Sequence, residues 1–291
     1  MTPFELAEPT TLKEAIGLLA GGDTDVRPVA GGTAVMLMMR TGIFRPAKLV
    51  SLRGIEAKHS AIEVLRDGSL RIGAMATLSS LERSLAIAQA LPVVTETLRT
   101  LSNVRVRNVA TLGGHLAHAD PHMDLPPVLL VLGASLTVAG PSGERNLDAA
   151  ELFGGYLENT LSQGELITAV NVPAQGTRRA AYMKCMTRSA DDWPALGVAI
   201  SLQTQGDRIT SARVAIGAAT QTPRRLKTTE VALTGALPND MVLKRASDAA
   251  ADEAEIAADE QGSVAYKREL LRVFVRRAAR HALSSERVKG G

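Results

Sequence analysis

Apolar positions along the chain recur at two periods, and the switches between them divide it into three stretches. Residues 12–20 carry apolar side chains at helical spacing, residues 26–30 read as a short strand, residues 35–40 as a helix, and residues 49–52 as a strand closing a small strand–loop–helix unit. The runs 62–65 and 70–72 flank Asp67-Gly68-Ser69, turn chemistry that predicts a hairpin. Residues 78–85 and 93–101 have helical periodicity broken at Pro92. Residues 125–132 are continuously apolar and read as a helix, residues 134–139 alternate and end at Pro141-Ser142-Gly143, and residues 166–172 form a strand stopped by Pro173. The polar stretch Ala174-Gln175-Gly176-Thr177 marks a boundary. Beyond it, residues 180–186, 197–203 and 209–216 predict three strands of one antiparallel sheet, followed by helices at 241–257 and 263–283. No repeat stands out, and the alanine- and acid-rich stretch 249–260 is the main compositional bias.

Composition narrows the class. At 291 residues, 45% hydrophobic and 22% charged, the chain can bury a large core divided among two or three folding units. The longest apolar stretch, 125–139, is too short to cross a bilayer and holds Pro126 and Pro127, so no integral membrane segment is expected. The first residues lack a basic segment followed by an apolar one, which makes a cytoplasmic location the default expectation. Net charge is +3, with basic residues dispersed except for Arg276-Arg277 and Arg280, and aromatics are 3% of the chain. That is poor material for a nucleic-acid surface. Cys185 is the sole cysteine, which excludes an internal disulfide, a thiolate zinc site and an iron–sulfur cluster held by this chain alone.

The candidate chemistry lies in two glycine pairs with matching flanks, Val29-Ala30-Gly31-Gly32-Thr33-Ala34 and Thr111-Leu112-Gly113-Gly114-His115. Glycine lets the backbone take positive φ and lets a phosphate approach bare N–H groups. A loop that opens onto a helix adds unpaired amides and the positive end of the dipole. The two pairs therefore predict the halves of one phosphate cradle. No Gly-x-Gly occurs, which excludes the usual dinucleotide fingerprint, and no Gly-Lys-Ser/Thr, which excludes the usual triphosphate loop.

Residues 29–39, the run 107–126, and Tyr182-Met183-Lys184 with Arg188 resemble the FAD-binding subunit of the molybdenum hydroxylases. The likeness is strongest to the medium subunit of aerobic carbon monoxide dehydrogenases and extends to the FAD domain of xanthine dehydrogenases. It spans essentially the whole chain, including Gly217, Pro223, Leu233-Thr234-Gly235 and Tyr266-Lys267-Arg268. The resemblance implies an α+β fold: a PCMH/vanillyl-alcohol-oxidase-type FAD-binding domain of two α+β subdomains (1–54 and 55–176), then a C-terminal domain (177–291) with a three-stranded antiparallel sheet and a helix bundle. It implies FAD as cofactor, with Val29, Ala30, Gly31, Gly32, Thr33, Ala34 and Val35 and Thr111, Leu112, Gly113, Gly114 and His115 at the pyrophosphate. By the same resemblance Asp124 stands near the ribityl and ribose hydroxyls, and Leu166 and Ile167 offer backbone to the isoalloxazine edge. Lys184 matches the family lysine, and Trp193, within Asp191-Asp192-Trp193-Pro194, is the aromatic beside the flavin. It also implies partners: a molybdopterin-containing large subunit and a [2Fe–2S] small subunit, as a dimer of heterotrimers. Electrons would then pass from the clusters through FAD to a quinone, NAD or oxygen. No catalytic residue and no metal ligand is assigned to this chain.

The chain departs from the family pattern at His115, where relatives usually carry Asn, and at Thr33-Ala34, which removes a side-chain donor. Simpler readings stand beside the resemblance. Asp124 serves equally as the cap of the following helix, Trp193 as a core residue, Lys184 as a solvated lysine, and Cys185 as a small buried hydrophobe. The rival chemistry is a metal-dependent enzyme using His115, His118 and His122 with nearby carboxylates. Against it, Gly113-Gly114 and Pro121 are expected to keep that segment from forming one regular helix. A flavin-free structural subunit is the remaining alternative.

Overall fold

The computed structural model describes residues 3–186, 189, 192–284; Arg188 and Asp191 of the sequence motifs lie outside the described residues. The first unit contains β1 (Glu5–Ala7), α1 (Leu12–Leu19), β2 (Val26–Val29), α2 (Thr33–Arg40) and β3 (Lys48–Ser51). Its sheet is parallel, in the order β1-β3-β2. Thr11 caps α1 by accepting from the Glu14 N–H, and Ala15, Leu19, Val50 and Leu52 form the core between helix and sheet.

The second unit holds β4 (Ile62–Val64), β5 (Leu70–Gly73), α3 (Leu78–Arg83), α4 (Leu85–Ala90), α5 (Pro92–Thr100), α6 (Val104–Arg107), α7 (Leu112–His118), α8 (Leu125–Leu132), β6 (Ser135–Gly140), β7 (Gly143–Asp148), β8 (Phe153–Gly155), β9 (Glu158–Asn159) and β10 (Leu166–Val172). Five of its strands form an antiparallel sheet ordered β4-β5-β10-β6-β7. Every residue of α8 is buried, which explains its unbroken apolar run. The polar edge strand β7 is exposed except at Leu147, so it carries no alternation to read.

The third unit consists of β11 (Arg179–Cys185), β12 (Leu196–Gln205), β13 (Arg208–Gly217), β14 (Arg224–Arg225), α9 (Lys227–Leu233), α10 (Asp240–Glu253) and α11 (Val264–Ser284). The sheet is antiparallel and has four strands rather than three, because Arg224 and Arg225 add a short edge beside Ile216 and Ala215. Leu243, Ala246, Ala250, Leu271, Val275, Ala278 and Ala279 pack against the sheet residues Val198, Ile200, Val214 and Ile216. Ala199 and Ala215, pointing the other way, join the core of the second unit with α8.

The segment that carries His115, His118 and His122 is not one regular helix, as expected, but Gly113 and Gly114 are not what interrupts it: Leu112–His118 is a single helix and His122 lies beyond its end. The glycines occupy its first turn, where Thr111 Oγ1 accepts the Gly114 N–H at 3.2 Å, and the helix ends at Ala119 with φ +54° before Pro121 is reached.

Candidate functional site

The two glycine loops meet. A β-carbon on Gly31 would run into the Val109 carbonyl oxygen and lie 2.7 Å from Ala110 Cα, so only glycine permits this approach. On the facing side, a β-carbon on Gly114 would stand 3.4 Å from Ala30 Cβ. The loops differ in what they offer a ligand. Gly32 is the N-cap of α2 with φ +76° and no side-chain cap, and the amides of Thr33, Ala34 and Val35 have no acceptor among the described residues. In the second loop the Leu112 N–H goes to the Ala76 carbonyl at 2.9 Å, Gly113 to Ala74 at 2.7 Å and His115 to Thr111 at 2.8 Å. Free donors therefore lie at the start of α2, and the second loop supplies shape. Three unpaired amides at a helix start, beside a wall that excludes β-carbons, fit a diphosphate.

His115 is partly exposed, but its Nε2 is buried with no partner, and desolvation, reinforced by nearby His118, lowers its pKa to about 4. It is a neutral imidazole near pH 7. From the opposite side of the same loop, the Ala74 N–H donates to the Thr168 carbonyl at 3.0 Å. This ties the second glycine loop to β10 next to Leu166 and Ile167, whose side chains are buried. The link through residues 74–78 was not legible in sequence, because no motif marks it.

The C-terminal end of α7 leads into residues 120–124, where Asp124 and Lys184 are brought together. Lys184 Nζ donates to Asp124 Oδ2 at 3.0 Å and to the Thr100 carbonyl at 3.0 Å, and the side chains of both residues are 5% exposed. Tyr182, two residues along β11, donates its hydroxyl to Asp124 Oδ1 at 2.6 Å. Burial pushes the Asp124 carboxyl above its ordinary range, opposed by Lys184 and by the hydrogen bond from Tyr182. Tyr182 is raised well above 10 by burial and by the Asp124 charge. Asp124 does precede α8, but its backbone is helical and its side chain makes no capping bond, so the cap reading fails. The solvated-lysine reading fails with it. Tyr182 reaches Asp124 because Gly197 lies beside it on β12, where a β-carbon would run into the phenol oxygen.

Trp193 is 59% exposed and not a core residue. Its indole stacks on His122, ring centroids 5.5 Å apart and planes 16° from parallel. Leu166 and Ile167 thus stand at the N-terminal end of α7, and Trp193 and Lys184 at the segment following its C-terminal end, so the structure does not gather them into one cluster. Of the three histidines, His122 is occupied by Asp120 and Asp259. Among the described residues no group of three or more His, Cys, Asp or Glu side chains is arranged to hold a metal.

Comparisons with known proteins show what the chain is similar to. Residues 2–175 match the family described as the FAD binding domain in molybdopterin dehydrogenase, and residues 181–282 match the CO dehydrogenase flavoprotein C-terminal domain. Among curated relatives, the carbon monoxide dehydrogenase medium chain of Hydrogenophaga pseudoflava is 30% identical over 283 residues, covering 94% of this chain and 95% of its own. The glyceraldehyde dehydrogenase medium chain of Sulfolobus acidocaldarius is 27% identical over 275 residues, covering 94% and 96%. Among solved structures, a carbon monoxide dehydrogenase from H. pseudoflava superposes with a TM-score of 0.93 at 29% identity, covering 98% of this chain and 99% of that one. Quinoline 2-oxidoreductase from Pseudomonas putida 86 gives 0.91 at 27% identity, covering 97% of each.

Proposed function

Since this chain belongs to the family of FAD-binding domains of molybdopterin dehydrogenases, an FAD-dependent oxidoreductase family, we propose that it is the electron-transfer subunit of a heteromeric molybdenum hydroxylase. In this reading it takes electrons from [2Fe–2S] clusters in a small subunit, reduced by a molybdopterin-containing large subunit, and delivers them to an external acceptor. The assembly is a dimer of heterotrimers in the cytoplasm. Relatives named as medium chains or FAD-binding subunits of carbon monoxide, glyceraldehyde and xanthine dehydrogenases support the assignment of partners. So does the sole cysteine, which leaves this chain no cluster of its own. Among the described residues no helix is long and apolar enough to cross a membrane.

The observation that carries the proposal is the contact of the two glycine loops beside the free amides of α2. We assign the FAD pyrophosphate to residues 29–35 and 111–115, with Thr33, Ala34 and Val35 donating their N–H groups. FAD has a ring system on each side of its pyrophosphate. We therefore place Asp124, Lys184 and Trp193 along one side, with the indole against the isoalloxazine, and Leu166 and Ile167 along the other, because their separation from Trp193 does not let both meet the isoalloxazine edge to which the family resemblance assigned them. Bound FAD supplies the redox chemistry, accepting and releasing electrons singly or in pairs. The chain's own residues bind and orient: the α2 amides hold the anion, the Asp124–Lys184 pair fixes charge beside the cofactor, and Trp193 shields its ring from water. No side chain here is assigned proton transfer. The units 1–54, 55–176 and 177–291 divide the work, the first two meeting at the cradle and the third contributing Lys184 and Trp193.

Denaturing the purified chain should release one non-covalent flavin per polypeptide, hydrolysable to FMN and AMP. Recovery of FMN alone, or no flavin after reconstitution with excess FAD, would overturn the assignment. Stoichiometric metal in its place would favour the histidine-based alternative.

A further inference from the structure

The segment that carries Asp124 also carries His122, whose imidazole is held at both nitrogens. Nδ1 lies 2.9 Å from Asp120 Oδ1 on its own segment, and Nε2 lies 3.1 Å from Asp259 Oδ2, between α10 and α11. Asp259 Oδ2 also accepts from Lys267 Nζ at 2.5 Å. Lys267 is fully buried, with the Ala218 carbonyl at 3.4 Å as its second acceptor. Ala218 closes the circuit by donating its N–H to the Pro121 carbonyl at 2.7 Å. An imidazole can donate from both nitrogens only as imidazolium. Two carboxylates facing one lysine would leave an uncompensated negative charge in a largely buried cluster, and the imidazolium cancels it. The Trp193 indole lies on the face of this ring.

We propose that His122 is the positioning residue for Trp193: clamped between Asp120 and Asp259, its imidazolium holds the indole by stacking and cation–π attraction, and its charge reaches the ring that Trp193 covers. The first part concerns this chain alone, and the second rests on the reading of Trp193 as the flavin's cover. Burial opposes the charged imidazole, but the two carboxylates outweigh it and hold His122 above its ordinary 6.5. The other groups facing the cluster are Lys267 behind Asp259 and His118 of α7, which acts on Asp120. Asp192, beside Trp193, turns away to accept the Ser189 N–H at 3.2 Å.

The chain's single tryptophan makes the test direct. A stacked imidazolium quenches indole emission more than a neutral imidazole does. The emission of the FAD-free chain should therefore rise with pH in one titration centred above 6.5. His122→Gln should abolish that titration, and Asp259→Asn should move its midpoint down by about one unit through loss of one paired charge. Emission that is flat with pH, or a titration unchanged in both variants, would overturn the proposal. If His122→Gln does not fold, as judged by circular dichroism, the Asp259→Asn midpoint decides alone. In the FAD-loaded chain the flavin emission and midpoint potential should follow the same titration. A tryptophan titration with a silent flavin would uphold the clamp and refute the placement of Trp193 over the flavin.

Discussion

His115 takes the place of the asparagine that the family resemblance leads one to expect, and its consequence is a matter of proton linkage. Folded, it titrates at about 4; unfolded, near the ordinary histidine value of about 6.5. As the pH falls from about 6.5 toward 4, the unfolded chain binds a proton that the folded chain refuses, so stability falls with acidification across that window. Urea denaturation should show the wild type losing about 2 kcal/mol more than His115→Asn between about pH 7 and 5. Equal losses would mean that another group is responsible. Lys184 gives a second residue-level prediction. Its Nζ is tied to Asp124 in a buried pair, so Lys184→Met should cost about 3–5 kcal/mol by leaving a carboxylate buried with Tyr182 alone. Restoring part of that loss with Asp124→Asn in the same chain would confirm the pair, whereas a cost under about 0.5 kcal/mol would return Lys184 to the solvated surface.

At the scale of elements, what the sequence made legible depends on whether a period or a motif encodes it. Strands 26–30, 166–172 and 209–216 and helix 125–132 carry their burial pattern in the chain and lie within a residue or so of where they were expected. Strand β7 escaped because its polar residues face water, and β1 because three residues cannot show a period. Helix α7 stops before His122, as the sequence suggested, but the two glycines do not break it: glycine penalises a helix interior, whereas Gly113 and Gly114 sit in the first turn, where the Thr111 cap and the carbonyls of Ala74 and Ala76 hold the backbone. Candidate site residues were legible where glycine pairs and matching motifs marked them. The close approach of Gly31 to Val109, the reach of Tyr182 to Asp124, and the pairing of His122 with Asp259 were not, because each joins residues with no fixed spacing. The Tyr182 contact is testable in the sheet itself. A β-carbon on Gly197 would run into the Tyr182 phenol oxygen, so Gly197→Ala should push the phenol off Asp124 at a cost of about 1–3 kcal/mol. The cost should shrink in a Tyr182→Phe background, where the hydroxyl is already gone, and strict additivity of the two changes would contradict the contact.

For the whole molecule, we propose that the three units act as one holder, with a phosphate cradle between the first two and a charged and aromatic wall from the third. A holder of this kind does no substrate chemistry alone. The isolated, FAD-loaded chain should show only diaphorase-like activity, passing electrons from an artificial donor to an acceptor. Oxidation of an aldehyde, a purine or carbon monoxide should appear only when molybdenum and iron–sulfur subunits are added, and oxidation by this chain alone would refute the subunit assignment. The cradle is the central claim, and calorimetric titration of the FAD-free chain with FAD tests it most directly, comparing wild type with Gly32→Val and, as a control, Gly17→Ala, where a β-carbon meets nothing within 4 Å. Gly32 holds φ +76° at the start of α2, so valine there should weaken FAD binding by about 100-fold, the equivalent of one or two charge-assisted hydrogen bonds. The control should bind as wild type does. A Gly32→Val chain that keeps its circular dichroism and binds FAD with wild-type affinity would show that the glycine cradle is not the site.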